Sequence, residues 1–168
     1  MNSRLVKHMS IVGLALGLAA CSSVSLDDNA SGGKGAGGSG GASSSSVMDP
    51  FNPNSVLAKD KSVYFDFNSY TVGDQYRPLV ETHARYLASK PAQKVMVEGN
   101  TDARGGAEYN LALGNRRAEA VRRMMTLIGA RDEQIETISF GKEKPKALGD
   151  TEADYAENRR ADIVYLRQ

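Results

Sequence analysis

The last 114 residues, 55–168, predict an α/β (α+β) domain built as a four-stranded mixed sheet with helices packed on one face. Three observations predict it. β-prone runs alternate with helical patterns from residue 63 to the end of the chain. Turn and capping residues (Gly99, Gly129, Pro145, Gly149) punctuate the junctions. The length suits one domain with a modest core.

Val63-Tyr64-Phe65-Asp66-Phe67 is rich in aromatic and β-branched residues and reads as the first strand. Asp74 is placed to cap a helix running to Ser89, with Pro78 in an opening turn that has no use for its missing N–H. Leu79, Val80, His83, Tyr86 and Leu87 form the apolar stripe of that helix, and Pro91 ends it. Lys94 to Glu98 alternates as the second strand, and Gly99 begins a loop. A long helix is predicted over Ala107 to Ile128, with Leu111, Ala118, Val121, Met125 and Ile128 at helical spacing and Gly129 as its C-cap. Ile135 to Phe140 is the third strand, followed by a Pro-containing loop over Lys142 to Gly149. Glu152 to Asn158 suggests a short helix, and Arg160 to Leu166, with Ala161, Ile163 and Tyr165 alternating, the fourth strand.

Residues 1–20 read as an export signal: Arg4 and Lys7 precede an uncharged apolar run, Ile11 to Leu18. That run is about half of the ~20 residues that cross a bilayer, so a permanent transmembrane helix is not expected. Leu18-Ala19-Ala20-Cys21 places the chain's one cysteine where cleavage would fall. A lone thiol in an oxidising compartment is a liability, whereas a lipidated one is chemically silent. The tetrapeptide resembles a bacterial lipobox, which implies lipid on Cys21, and Ser22 in place of Asp is similar to what directs such proteins to the outer membrane. Two or three acyl chains on one residue make release negligible.

Residues 21–54 then read as a tether. From Asn29 to Ser46, 13 of 18 residues are Gly or Ser and no large apolar side chain appears, so the segment cannot bury enough surface to offset its ordering entropy. Pro50 and Pro53 stiffen its end. A Gly-rich coil of this length spans roughly 30 Å on average, and about 110 Å when stretched. The formal net charge is +1, and the leader carries two of the positive charges, so the rest is one negative. That balance argues against nucleic acid or an anionic membrane surface as partner.

Charge-bearing residues concentrate in three places. Gly99-Asn100-Thr101-Asp102-Ala103-Arg104-Gly105-Gly106 sets opposite charges on a loop just before a helix N-terminus. Asn110, Leu113 and Arg117 share one face of that helix, pointing back toward the loop. Asn158-Arg159-Arg160 precedes the final strand. From spacing alone these read as helix caps and surface ion pairs, each worth little.

The motifs Tyr64-Phe65-Asp66-Phe67, Glu98-Gly99-Asn100-Thr101-Asp102-x-Arg104-Gly105, Tyr109-Asn110-x-x-Leu113-Gly114-x-Arg116-Arg117-Ala118, Gly141-Lys142-Glu143-Lys144-Pro145 and Asn158-Arg159-Arg160-Ala161 occur in order. Together they resemble the OmpA-like peptidoglycan-binding domain, in particular that of the lipid-anchored peptidoglycan-associated proteins. The resemblance covers residues 60–167. It implies a non-covalent ligand, the stem peptide of uncross-linked peptidoglycan recognised at meso-diaminopimelate. The distal end of diaminopimelate carries an ammonium and a carboxylate on one carbon. On that reading Asp102 accepts from the ammonium and Arg117 offers its fork to the carboxylate. Arg104 and N–H groups at the helix start serve the other carbonyls and carboxylates. Carried over by motif, Phe67, Asn68 and Thr101 line the pocket; many relatives have Asp where Asn68 stands. A pair kept for the ligand should contribute little to stability. The resemblance also implies Tol proteins, notably TolB, as partners, and a role in envelope integrity and cell division.

An enzyme is not expected. Asp66, Glu98 and Asp102 could in principle make an acid–base pair for a wall hydrolase. However, the domain's single histidine, His83, falls in an apolar stripe and reads as a packing residue. Within residues 55–168 neither zinc-ligand spacing nor a Gly-x-Ser-x-Gly elbow occurs, so no cofactor or metal is expected. Other wall binders with this domain, a flagellar stator subunit or a porin tail, would need a transmembrane helix or barrel strands that residues 22–54 do not supply.

Overall fold

The computed structural model describes residues 48–167. The leader, Cys21 and the Gly/Ser segment lie outside the described residues. Four strands, β1 (Ser62–Tyr64), β2 (Val95–Asn100), β3 (Ile135–Gly141) and β4 (Arg160–Tyr165), form one sheet in the order β1-β4-β2-β3. β4 runs antiparallel to both neighbours, and β2 and β3 are parallel. A parallel pair needs a long crossover. Here it contains helix α3 (Ala107–Ile128), while α2 (Arg77–Ser89) joins β1 to β2. Short helices α1 (Val56–Lys59) and α4 (Glu152–Asn158) precede β1 and β4.

The sheet's two faces differ because side chains alternate along each strand. One face carries Val63, Val95, Val97, Ile135, Ala161 and Ile163, all buried against Val80, Ala84 and Leu87 of α2 and Ala118, Val121 and Met125 of α3. The other face is mixed: Glu98 lies opposite Asp162, and Met96 opposite Val164. There Arg160 Nε donates to Asp162 at 2.9 Å, and Lys144 Nζ to Glu98 at 2.5 Å. Only the apolar face is covered by the two long helices, the mixed four-stranded arrangement that the sequence predicts.

Local departures have local causes. β1 stops at Tyr64; Phe65 N–H still donates to Arg159 O at 2.8 Å, but Asp66 turns out of the sheet and its carbonyl accepts from Ser69 N–H at 3.2 Å. Asp74 does not cap α2. It lies in a 3-10 turn, Asp74–Tyr76, its carboxylate exposed and paired with Arg77 at 3.5 Å. Leu111, expected on the core stripe of α3, is 54% exposed, and Leu113 is buried instead. His83 is the satisfied packing residue expected: Nδ1 lies 2.9 Å from Tyr165 Oη and Nε2 2.8 Å from the Asp60 carbonyl. Met48 to Asn54, at the end of the expected tether, makes turns, with Phe51 under the Arg167 guanidinium at 5.1 Å.

Candidate ligand-binding site

The site lies where β2 hands the chain to α3, and backbone contact sets its geometry. A Cβ on Gly99 would fall 1.9 Å from the Gly114 carbonyl oxygen, and one on Gly114 2.3 Å from Ser139 Oγ. Strand and helix therefore touch main chain to main chain. This brings the end of β2 directly against the face of α3 that carries Asn110, Leu113 and Arg117. The β2–β3 register shifts between Gly99 and Asn100, and Thr101 N–H donates to Gly141 O at 2.8 Å. The loop then swings away from the sheet. Gly105 takes φ 86°, a left-handed conformation that glycine adopts without penalty. Asn110 Nδ2 donates to Arg104 O at 2.8 Å and fastens the loop to the first turn of α3.

This junction encloses a cavity of about 110 Å³. Phe67, Asn68, Thr101, Asp102, Arg104 and Arg117 all line it, so the structure brings all six sequence-derived candidates together. Phe67 and Asn68 arrive from the turn after β1, where Asn68 holds φ 54° and accepts from Tyr109 Oη. Thr101 and Asp102 are buried in the loop. Phe67, 62% exposed, forms the rim.

Asp102 is held by arginines. Its Oδ2 accepts from Arg104 Nη2 at 2.5 Å and from Arg159 Nη1 at 3.4 Å, and its Oδ1 from the Arg104 N–H at 3.2 Å. Burial alone would raise this carboxyl's pKa, but the Arg104 bonds and charge outweigh it and hold Asp102 below the usual carboxylate range. It is thus a fixed anion with lone pairs to spare on Oδ1. Arg104 is clamped between the rings of Phe67 and Tyr155, each 4.3 Å from the guanidinium carbon, and also pairs with Glu152 at 3.2 Å.

Arg117 is fully buried. Nε donates to Ser69 O at 2.8 Å, Nη1 to Asn100 O at 2.8 Å and Nη2 to Asp66 O at 3.2 Å. Burial lowers its pKa to about 10, so it remains a cation at neutral pH. Those bonds correct one expectation: Arg117 is not kept for a ligand alone, because it ties two separate chain segments, the turn after β1 and the end of β2, to α3. Each terminal nitrogen carries two N–H groups, so one on each remains for a ligand. No hydrogen bond joins Asp102 to Arg117, and both face the same cavity.

Arg159 belongs to the site although sequence reasoning carried it no further than the charged run before β4. It is buried, donates from Nε to Phe65 O at 3.1 Å and pairs with Asp102 and Glu152. Its neighbours go elsewhere: Asn158 Oδ1 accepts from Lys146 and Ala147 N–H, and Arg160 bonds Asp162 on the sheet face away from the long helices. Three guanidinium groups against the carboxylates of Asp102 and Glu152 leave one positive charge in excess. The arrangement suits a ligand bearing an ammonium beside more than one anionic or carbonyl oxygen.

The OmpA family profile matches residues 64–159. The chain is 41% identical to the peptidoglycan-associated lipoprotein of Haemophilus influenzae, over 97% of this chain and 99% of that one. It is 40% identical to that of Pasteurella multocida, over 96% and 99%. Among solved structures, it resembles the peptidoglycan-associated lipoprotein from Burkholderia pseudomallei, with TM-score 0.67 and 59% identity over 70% of this chain and 98% of the other. The C-terminal domain of Helicobacter pylori MotB shares the fold at 20% identity, with TM-score 0.59 over 64% of this chain and 84% of that one.

Proposed function

The chain belongs to the OmpA family, among its peptidoglycan-associated lipoproteins, and on that premise we propose that it tethers the outer membrane to the cell wall by gripping peptidoglycan without a covalent bond. The observation that carries this is the cavity at the β2–α3 junction, where a fixed anion and a buried cation face one small space. The ligand is the stem peptide, held at the distal ammonium and carboxylate of meso-diaminopimelate by Asp102 and Arg117 respectively. Arg104, Thr101, Asn68 and Phe67 position the rest of the stem. Asn68 contributes hydrogen bonding without charge.

The pocket acts by binding and not by catalysis. A general acid needs a raised pKa, and Asp102 is pushed the other way by Arg104. Cys21 carries the lipid anchor after removal of residues 1–20. Residues 21–54 are the tether, and 55–168 are the wall-binding domain. No described helix is long and apolar enough to cross a membrane. Family membership also supports Tol proteins, TolB foremost, as partners in envelope integrity and division.

The test is retention of the protein on purified peptidoglycan sacculi, with and without excess free diaminopimelate. The reading expects retention that the free amino acid abolishes. Retention indifferent to diaminopimelate would remove the stem-peptide assignment.

A further inference from the structure

The α3 motif ends in two adjacent arginines, and the site above uses only the second. Arg116 lies four residues after Ala112 and seven after Tyr109, so the three share a helical face. With Asn68, Tyr70 and Leu113 they line a second cavity of about 70 Å³. The two cavities share Asn68, Tyr109 and Leu113, and the Tyr109–Asn68 hydrogen bond belongs to the wall between them.

Arg116 differs from its neighbours in how it is engaged. Arg104 and Arg159 are committed to carboxylates and Arg117 to carbonyls. The Arg116 guanidinium rests over the Tyr70 ring at 5.7 Å and forms no ion pair among the described residues. An arginine laid on an aromatic face keeps its planar fork while losing little freedom on binding, and the fork matches a carboxylate.

We propose that this second cavity is a carboxylate subsite, in which Arg116, braced by Tyr70, reads a second carboxylate of the peptide whose diaminopimelate occupies the first. The inference rests on the stem-peptide reading. An extended peptide advances about 3.5 Å per residue, so cavities that share three wall residues suit successive residues of one chain. Two carboxylates qualify: the one on the residue preceding diaminopimelate, and the one that ends the peptide.

Calorimetric titration distinguishes them. A diaminopimelate-containing stem peptide is prepared with both carboxylates free, with only the preceding one amidated, and with only the terminal one amidated. Each is titrated into the full-length protein, Arg116→Gln and Arg116→Lys, with melting curves alongside. One amidation should weaken wild-type binding roughly three- to tenfold, in the range of a partly solvated arginine–carboxylate pair. That same amidation should leave Arg116→Gln unaffected, and its identity names the carboxylate. Arg116→Lys should recover part of the loss, and melting temperature should not move. Equal affinity of Arg116→Gln and wild type for all three peptides overturns the subsite, as does a uniform weakening that amidation does not alter. A wild-type protein that binds none of the three overturns the stem-peptide reading, and the subsite falls with it.

Discussion

Helix α3 is buried at both ends of its inner face, but the burial has a different character at each. From Ala118 to Met125 it presses small and apolar side chains into the layer beneath α2 and the sheet. From Asn110 to Arg117 it meets the end of β2 through a glycine contact and a guanidinium bonded to three carbonyls. The first half depends on apolar area, which is local and close to additive. The second depends on polar groups that are satisfied only when the β1 turn, the end of β2 and α3 are together. Stability and the shape of the cavity are therefore separable in the first half and coupled in the second.

The largest effect should come at the glycine contact between β2 and the Asn110–Arg117 half of α3. A Cβ at Gly99 meets backbone oxygen at 1.9 Å and has no flexible side chain to displace. Gly99→Ala should cost more than about 3 kcal/mol, beyond ordinary overpacking, and remove ligand binding with the fold. Urea denaturation followed by circular dichroism measures it. A near-native midpoint would mean that β2 and α3 can separate without penalty.

A matched pair sharpens the comparison. Arg117→Ala removes a donor from three carbonyls, of which Asp66 O keeps the Ser69 N–H; at about 1 kcal/mol or more for each of the other two, a loss of about 2–3 kcal/mol is expected together with loss of stem-peptide binding. Met125→Ala should lose about 2–3 kcal/mol through its cavity, with affinity kept in whatever remains folded. Denaturation midpoints and peptide titrations on both variants check this. If Arg117→Ala melts like wild type, the carbonyl bonds contribute nothing and the coupling is wrong.

The smallest effect is with pH. Asp102 has a folded pKa below its ordinary 3.8, so its contribution is full above that value and drains away as pH falls through the lower, folded one. Asp102→Asn should flatten the stability curve in that acid window and leave it unchanged near neutrality in slope. Melting temperature recorded from pH 6 down to pH 3, a range about the ordinary carboxylate value, reads this directly.

Most of the frame was legible because it repeats. Val95 and Val97 alternate, as do Ala161, Ile163 and Tyr165, and Val121 and Met125 keep helical step. What was illegible is short or non-local. Helix α1 has four residues and one buried apolar side chain, Leu57, too few for a period to show. Asp74 carried a capping residue's identity, but the chain made a 3-10 turn there and the helix began later. In the site, Asp102, Arg104 and Arg117 stand close enough in sequence for loop and helix spacing to relate them. Arg159 lies 57 residues beyond Asp102 and joins it only because β4 threads between β1 and β2. The three carbonyls on Arg117 were equally hidden, since backbone acceptors leave no mark in a sequence.

Diaminopimelate is lysine with one added carboxylate on its terminal carbon, and that difference isolates the zwitterion that the cavity is argued to read. Titrating the full-length protein with a diaminopimelate stem peptide and with the same peptide carrying lysine alters no residue of the fold. A buried guanidinium that keeps its carbonyl bonds but lacks its carboxylate should cost about 2–3 kcal/mol of binding, so the lysine peptide should bind at least 30-fold more weakly. Equal affinities for the two peptides would contradict recognition of the zwitterion by Asp102 and Arg117.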